Sequence, residues 1–227
     1  MTLNRERLNN IQPAAAGLLA VFFTVGTVSH LIAFLRPWMM LLTPFVLFVV
    51  GVLTVVFWWA QTQHPPRPIL LWVLITYVVT FSLEALGTHT GLVFGAYTYG
   101  QSLGPMLMAV PLVIGFNWTI VVLGTHAWFA WLKQPWQRVL ATAAGCVLFD
   151  VVMEPVAMNP KMDYWNWALG HVPLQNYVAW FVIAALAAIY FEVLKLQPAG
   201  LFARAFVLIQ VIFFVVLLVS FQVFHLA

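Results

Sequence analysis

The stretch Trp38–Ala60, WMMLLTPFVLFVVGVLTVVFWWA, carries no charged residue in 23 positions. The hydrocarbon core of a bilayer is crossed by a helix of about 20 apolar residues, so this segment reads as a transmembrane span. On its N-terminal side, Arg36-Pro37 closes an apolar run from Pro13 to Leu35. On its C-terminal side, Gln61 to Pro68 breaks the chain before a third run, Ile69–Leu86. Four more runs follow: Met106–Leu132, Val139–Ala157, Pro173–Leu194 and Leu201–Phe224. The expected fold class is all-α, a polytopic membrane protein of seven transmembrane helices. Residues 1–227 are expected to form one integral membrane domain with no soluble domain.

Composition agrees with this reading. Apolar residues make up 64% of the chain, against nine Lys/Arg and six Asp/Glu. A soluble domain carries about a quarter charged residues. The balance excludes a soluble enzyme, a disordered chain, a coiled coil and a nucleic-acid binder. The pI of 9.2 reflects a handful of charges rather than a basic patch. Cys146 is the single cysteine, so no disulfide framework or cysteine metal site is expected. Arg5 and Arg7 before the first run resemble a signal peptide. The run is too long for one and has no small-residue cleavage site, so it is read as a retained first span.

The charges orient the spans. With the N-terminus cytoplasmic, Arg5, Arg7, Arg67, Lys133, Arg138, Lys195 and Arg204 fall on the cytoplasmic side. Only Arg36 and Lys161 fall opposite. Cytoplasmic loops collect Lys and Arg, so the N-terminus is expected inside and the C-terminus outside.

That topology gathers the acids. Glu84, Asp150, Glu154 and Asp163 all fall toward the outer side, with His30, His89, His171 and Asn176. Asn117 lies nearer mid-membrane. An ionisable group within a span costs about 2.5–3.5 kcal/mol and marks function by default. Asp150 and Glu154 are four apart and share one helical face, about 6 Å along the axis. Two carboxyls so close in a low-dielectric site cannot both ionise easily, which is how a protein keeps one carboxylic acid protonated. A pair hydrogen-bonded to loop amides, with Pro155 ending the helix, is the structural alternative. Glu84 precedes a segment rich in Gly and Tyr, Gly87 to Pro105.

The histidines carry less. No metal-ligand spacing exists, and His30 and His126 lie toward opposite faces, so neither a metal nor another cofactor is expected. His64 and His225 read as surface residues, and His89 as a loop residue able to tune Glu84. Trp38, Trp58, Trp59, Trp128, Trp131 and Trp136 suit an interfacial belt. Tyr164, Trp165, Trp167 and Trp180 sit beside the acids, where aromatic faces stabilise cations.

A weak repeat runs through the same region. Glu84, Tyr97, Tyr99, Gly104, Val110-Pro111-Leu112, Asn117 and Trp118 are echoed by a second series. This is Glu154, Tyr164, Trp165, Trp167, Gly170, Val172-Pro173-Leu174, Asn176 and Trp180. The order matches while the spacings differ. A duplicated helix hairpin over about 69–132 and 139–194, related by an axis normal to the membrane, would give this pattern.

A buried acid, a neighbouring carboxylate and aromatic walls within a bilayer suit protonation of an isoprenoid alkene. The tertiary cation would then take up water, lose a proton or close a ring. At these residues the chain resembles a known family. One block is Glu84-Ala85-Leu86-Gly87-Thr88-His89-Thr90-Gly91 with Phe94-Gly95, Tyr97, Tyr99, Gly104-Pro105 and Val110-Pro111-Leu112. The other is Asp150-Val151-Val152-Met153-Glu154-Pro155-Val156-Ala157 with Tyr164-Trp165, Trp167, Gly170 and Val172-Pro173-Leu174-Gln175-Asn176. Together they look like the bacterial and archaeal carotenoid hydratases, the membrane proteins that include γ-carotene 1′,2′-hydratase and bisanhydrobacterioruberin hydratase.

The resemblance implies cofactor-independent addition of water across the terminal C=C of a ψ-end group. Substrates of the γ-carotene, lycopene or C50 bacterioruberin-precursor type are implied, with water and membrane lipid as the other partners, at the cell membrane. On this reading Asp150 donates the proton, and Glu84 or Glu154 activates water. Tyr97, Tyr99 and Trp165 line the cation. His89, Asn117, Trp118, Asp163, Tyr164, Trp167, Asn176 and Trp180 are expected substrate contacts. The alternatives are an end-group cyclase or isomerase, and a non-enzymatic carotenoid-binding or transport protein. A retinal receptor would need a lysine within a late span, and the seventh has none.

Overall fold

Among the described residues seven helices follow the apolar runs, and their ends follow Pro, Gly and loop residues. The computed structural model describes residues 2–62 and 65–223; His64 and His225 lie outside the described residues. The helices are α1 (Thr2–Leu31), α2 (Arg36–Gln61), α3 (Pro66–Thr90), α4 (Leu112–Trp128), α5 (Pro135–Ala157), α6 (Leu174–Val193) and α7 (Leu201–Val223). Pro lies in the first turn of α2, α3 and α5, where its missing N–H costs nothing. Six helices, all but α4, are long and apolar enough to cross a membrane. Their Leu, Val, Ile and Phe side chains stay exposed around the bundle. The chain is therefore an all-α integral membrane protein.

Several boundaries depart from the sequence reading. The first helix begins at Thr2, so Pro13 lies inside it rather than at its start. The fourth span, expected over Met106–Leu132, shrinks to 17 residues. Its first residues form a hairpin instead, β2 (Met106–Leu107) with β3 (Val110–Pro111), turned by Met108 and Ala109 at positive φ. This short helix is the centre of the bundle. Nearly all of its circumference is buried, against α2, α3, α5, α6 and α7, so little of it meets lipid. At 1.5 Å per residue it spans about 25 Å.

The third helix continues to Thr90, which puts His89 in its last turn rather than in a loop. Gly91, at φ 67°, ends it in the left-handed conformation and returns its N–H to Gly87 O at 2.8 Å. Pro155 lies within α5, which ends two residues later. Trp58 is core, not belt: its indole donates to Gln197 O at 2.8 Å and stacks on Phe191. Trp59 is half-buried, whereas Trp38, Trp128, Trp131 and Trp136 are exposed.

The two ends of the bundle differ in kind. At one, Arg138 grips Glu192 through two hydrogen bonds of 2.7 and 2.6 Å, and His126 meets the same carboxylate at 2.9 Å. This cluster joins the ends of α4, α5 and α6. The Trp128 indole donates to Arg204 O and the Arg5 guanidinium to Thr62 O at the same end. At the other end two short strands meet, β1 (Tyr97–Tyr99) and β4 (Trp165–Trp167). They pair antiparallel, with Tyr97 opposite Trp167, Thr98 opposite Asn166 and Tyr99 opposite Trp165.

Candidate active site

Alternate residues of a strand face one side. In β1 this aims Tyr97 and Tyr99 together at the end of α3, and in β4 it aims Trp165 and Trp167 at the end of α5. Both phenol hydroxyls donate to Glu84 Oε2, the Tyr99 bond at 2.8 Å. Both indole N–H groups donate to Glu154 Oε2, each at 2.9 Å. Each glutamate thus ends a span and is held by two aromatic donors from the strand that follows it. Burial raises the Tyr97 and Tyr99 pKa values, and the charge of Glu84 raises them further, so both phenols remain donors.

Asp150 lies one turn before Glu154 on the same face of α5. Asn176, near the start of α6, donates from Nδ2 to Asp150 Oδ2 at 2.7 Å and approaches Glu154 Oε1 at 3.4 Å. Asp150 Oδ1 is buried with no hydrogen-bond partner among the described residues. The exposures of Glu84, Asp150 and Glu154 are 3%, 0% and 2%, so lipid and bulk water are both kept away.

These groups enclose a cell of about 20 Å³, lined also by Phe94, Ile114, Trp118, Met153 and Trp180. A water needs about 10–15 Å³ on this measure and two or more polar partners, so the cell takes one. Among the described residues no Lys, Arg or His lines it. Trp118 and Trp180 stack on each other in its wall with centroids 3.6 Å apart, and Phe94 stacks on Trp180 at 5.3 Å. Phe94 reaches this place by lying over Gly87, where a Cβ would come within 2.6 Å of its ring.

A larger cavity of about 240 Å³ adjoins the cell between α1, α2, α4 and α7, and shares Ile114, Trp118, Met153 and Trp165 as its wall. Asn117 and Tyr164 line this cavity rather than the acid cell. Burial pushes the Tyr164 phenol up to about 12. His30 Nε2, Asn117 Oδ1 and Gln210 Nε2 are buried on its wall with no partner among the described residues. Polar atoms in a space this large pair with water.

The structure therefore gathers Glu84, Asp150, Glu154, Tyr97, Tyr99, Trp118, Trp165, Trp167, Asn176 and Trp180 around one point. It does not bring His89 or Asp163 there. His89 is exposed. Asp163 braces the two loops, its carboxylate facing Gln101 N at 3.4 Å. Phe94, Ile114 and Met153 were not singled out from the sequence. Phe94 and Met153 both lie within the two family-like blocks, and Met153, three residues after Asp150 on the same helix face, also follows the helical period. Among the described residues no group of three His, Cys, Asp or Glu has the geometry to hold a metal ion.

The family described as carotenoid biosynthesis protein matches residues 42–227, most of the chain and every residue that lines the acid cell. The chain belongs to this family. Among curated relatives of this carotenoid biosynthesis protein is the bisanhydrobacterioruberin hydratase of Haloarcula japonica, 29% identical over 127 residues. That match covers 50% of this chain and 41% of the relative, so this chain spans less than half of the relative's length. No solved structure matches it.

Proposed function

We propose that this carotenoid biosynthesis protein is a hydratase that adds water across the terminal C=C of a carotenoid ψ-end group. The substrate is of the γ-carotene, lycopene or C50 bacterioruberin-precursor type. The observation that carries the reading is Asp150 Oδ1, an unpartnered buried oxygen beside a water-sized cell flanked by two carboxyls. Hydrogen bonds from donors favour an ionised carboxylate. Glu84 accepts two such bonds and Glu154 two short ones and a longer one from Asn176, so both suit the charged form. Asp150 accepts one, and its second oxygen suits a proton.

In this mechanism Asp150 transfers its proton to the terminal isopropylidene carbon. A C–H bond forms, the π bond breaks, and a tertiary cation is left on the neighbouring carbon. Two buried carboxylates and the Trp118–Trp180 pair face it, fixed negative charge and aromatic faces where positive charge develops. Water in the cell attacks the cation, forms the C–O bond and yields its proton to Glu154 or Glu84. Return of that proton to Asp150 through the next water to enter the cell restores the acid. The product is a tertiary alcohol, and no cofactor enters the sum. The protein works in the cell membrane with its N-terminus cytoplasmic, so the acid cell lies in the outer leaflet; the basic residues at the opposite end support this.

The test is expression in a lycopene-making host, with mass spectrometry of the extracted pigment. Wild type adds the mass of one water per reacted end, whereas a cyclase or isomerase leaves the mass unchanged, and a binding protein leaves the pigment itself unchanged. Glu84→Gln, Asp150→Asn and Glu154→Gln should each lose product. Full activity in all three variants sinks the site.

A further inference from the structure

The acid cell holds a water but not an isoprenoid, so the hydrocarbon chain must lie elsewhere. The cavity of about 240 Å³ beside it has the required form. Its inner wall, Ile114, Trp118, Met153 and Trp165, is also the wall of the acid cell. Its outer rim includes Phe22 and Val25 of α1 and Leu42 of α2, which are exposed on the lipid-facing surface. The space therefore runs from the bilayer to the wall that separates it from the acids. Two other apolar grooves open on the same surface, one beside Phe48 and Tyr77, the other beside Val178 and Leu186; neither shares a wall residue with the acid cell.

We propose that this cavity binds the linear hydrocarbon chain of the substrate, admitted sideways from the lipid between α1 and α2. The reacting end lies against Trp118, Met153 and Trp165, within reach of the acids. Met153 suits the partition, since its unbranched, polarizable side chain adapts to gaps and can swing aside. Lateral entry matches a substrate that never leaves the bilayer and keeps bulk water from the cation. This inference rests on the hydration reading of the acid cell.

Gly26 supplies the test. It lies on the cavity wall, and a Cβ built there meets no atom within 4 Å, so a larger side chain fills the cavity without displacing the fold. Gly17, also in α1, has the same free space but does not line the cavity. Purified wild type, Gly26→Leu, Gly26→Phe, Gly17→Phe and Asp150→Asn would be compared in nanodiscs. Readouts are bound lycopene by absorbance, turnover of lycopene, turnover of a short acyclic terpene with the same end group, and melting temperature.

Gly26→Phe should weaken lycopene binding and turnover by at least about tenfold. Gly26→Leu should fall between, and Gly17→Phe should match wild type. The short terpene, which does not need the full cavity, should react at near wild-type rate in Gly26→Phe. Lycopene bound and hydrated normally by Gly26→Phe overturns the proposal. So does equal loss on the long and short substrates at an unchanged melting temperature. Asp150→Asn should bind lycopene yet hydrate neither substrate; normal product from it refutes Asp150 as the proton donor, and pigment of unchanged mass from wild type refutes the hydration reading, while in both cases the Gly26 binding result stands separately.

Discussion

The hairpin α3–β1–α4 and the hairpin α5–β4–α6 are built alike. Each ends its first helix near a glutamate whose Oε2 accepts two aromatic donors from the following strand. Each re-enters the membrane at Val-Pro-Leu, and the tryptophan seven residues past each proline, Trp118 or Trp180, stacks on its counterpart. The strands pair about Thr98 and Asn166, as two units related by a local two-fold axis would. The halves differ where the chemistry is proposed. Four residues before the glutamate stands Thr80 in one half and Asp150 in the other. Three residues past the proline stands Ile114 in one and Asn176 in the other. The proposed proton donor, Asp150, thus stands in only one of the two hairpins, and Thr80 holds the matching place in the other.

Asp150→Asn attacks that difference directly and carries the largest expected effect. The amide keeps the shape and removes the transferable proton, so turnover should fall about 10³-fold, within the usual range for a general acid. Assay of purified protein on a ψ-ended carotenoid checks this. Activity within threefold of wild type would show that the asymmetry is not the source of the proton.

The paired glutamates come next. Glu154 touches Asn176, which also holds Asp150, while Glu84 has no such link. Glu154→Gln should therefore cost about 10²-fold, as loss of one electrostatic stabiliser does, and Glu84→Gln only about 10-fold. Equal losses would mean that the two halves contribute alike. The aromatic donors should matter less to rate than to folding. Replacing Tyr99 or Trp165 by Phe removes one donor to a buried carboxyl, a loss of about 1–3 kcal/mol each. Thermal unfolding in detergent reads it, and similar losses in the two halves would support equal structural roles.

The seven helices were legible because uncharged runs of span length admit few other structures. Their ends were less so. Gly87 and Gly91 can both stop a helix; Gly91 does, because Phe94 packs over Gly87 and leaves α3 intact to Thr90. That choice carried His89 out of the loop and away from Glu84. The acid cluster was legible from topology, since spans running the same way bring Glu84, Asp150 and Glu154 to one end. The β1–β4 pairing was not, because three-residue strands separated by two helices carry no sequence signal of their register. Asp163 shows the same limit: an acid at the right end of the bundle joins a loop brace when its backbone turns away.

The smallest expected effect belongs to Thr80, and it is the sharpest control on the comparison. Its hydroxyl donates back to Thr76 O at 2.9 Å, with Tyr77 O and Gly115 O nearby at 3.0 and 3.2 Å. Thr76 O is also an acceptor for a main-chain N–H within α3, so losing the hydroxyl strands no acceptor. Thr80→Val keeps the shape and should cost about 1 kcal/mol or less, with turnover within about twofold of wild type. The same position in the other hairpin should cost a thousandfold. If Thr80→Val instead impaired turnover as deeply as Asp150→Asn, at an unchanged melting temperature, the proton path would have to run through both halves.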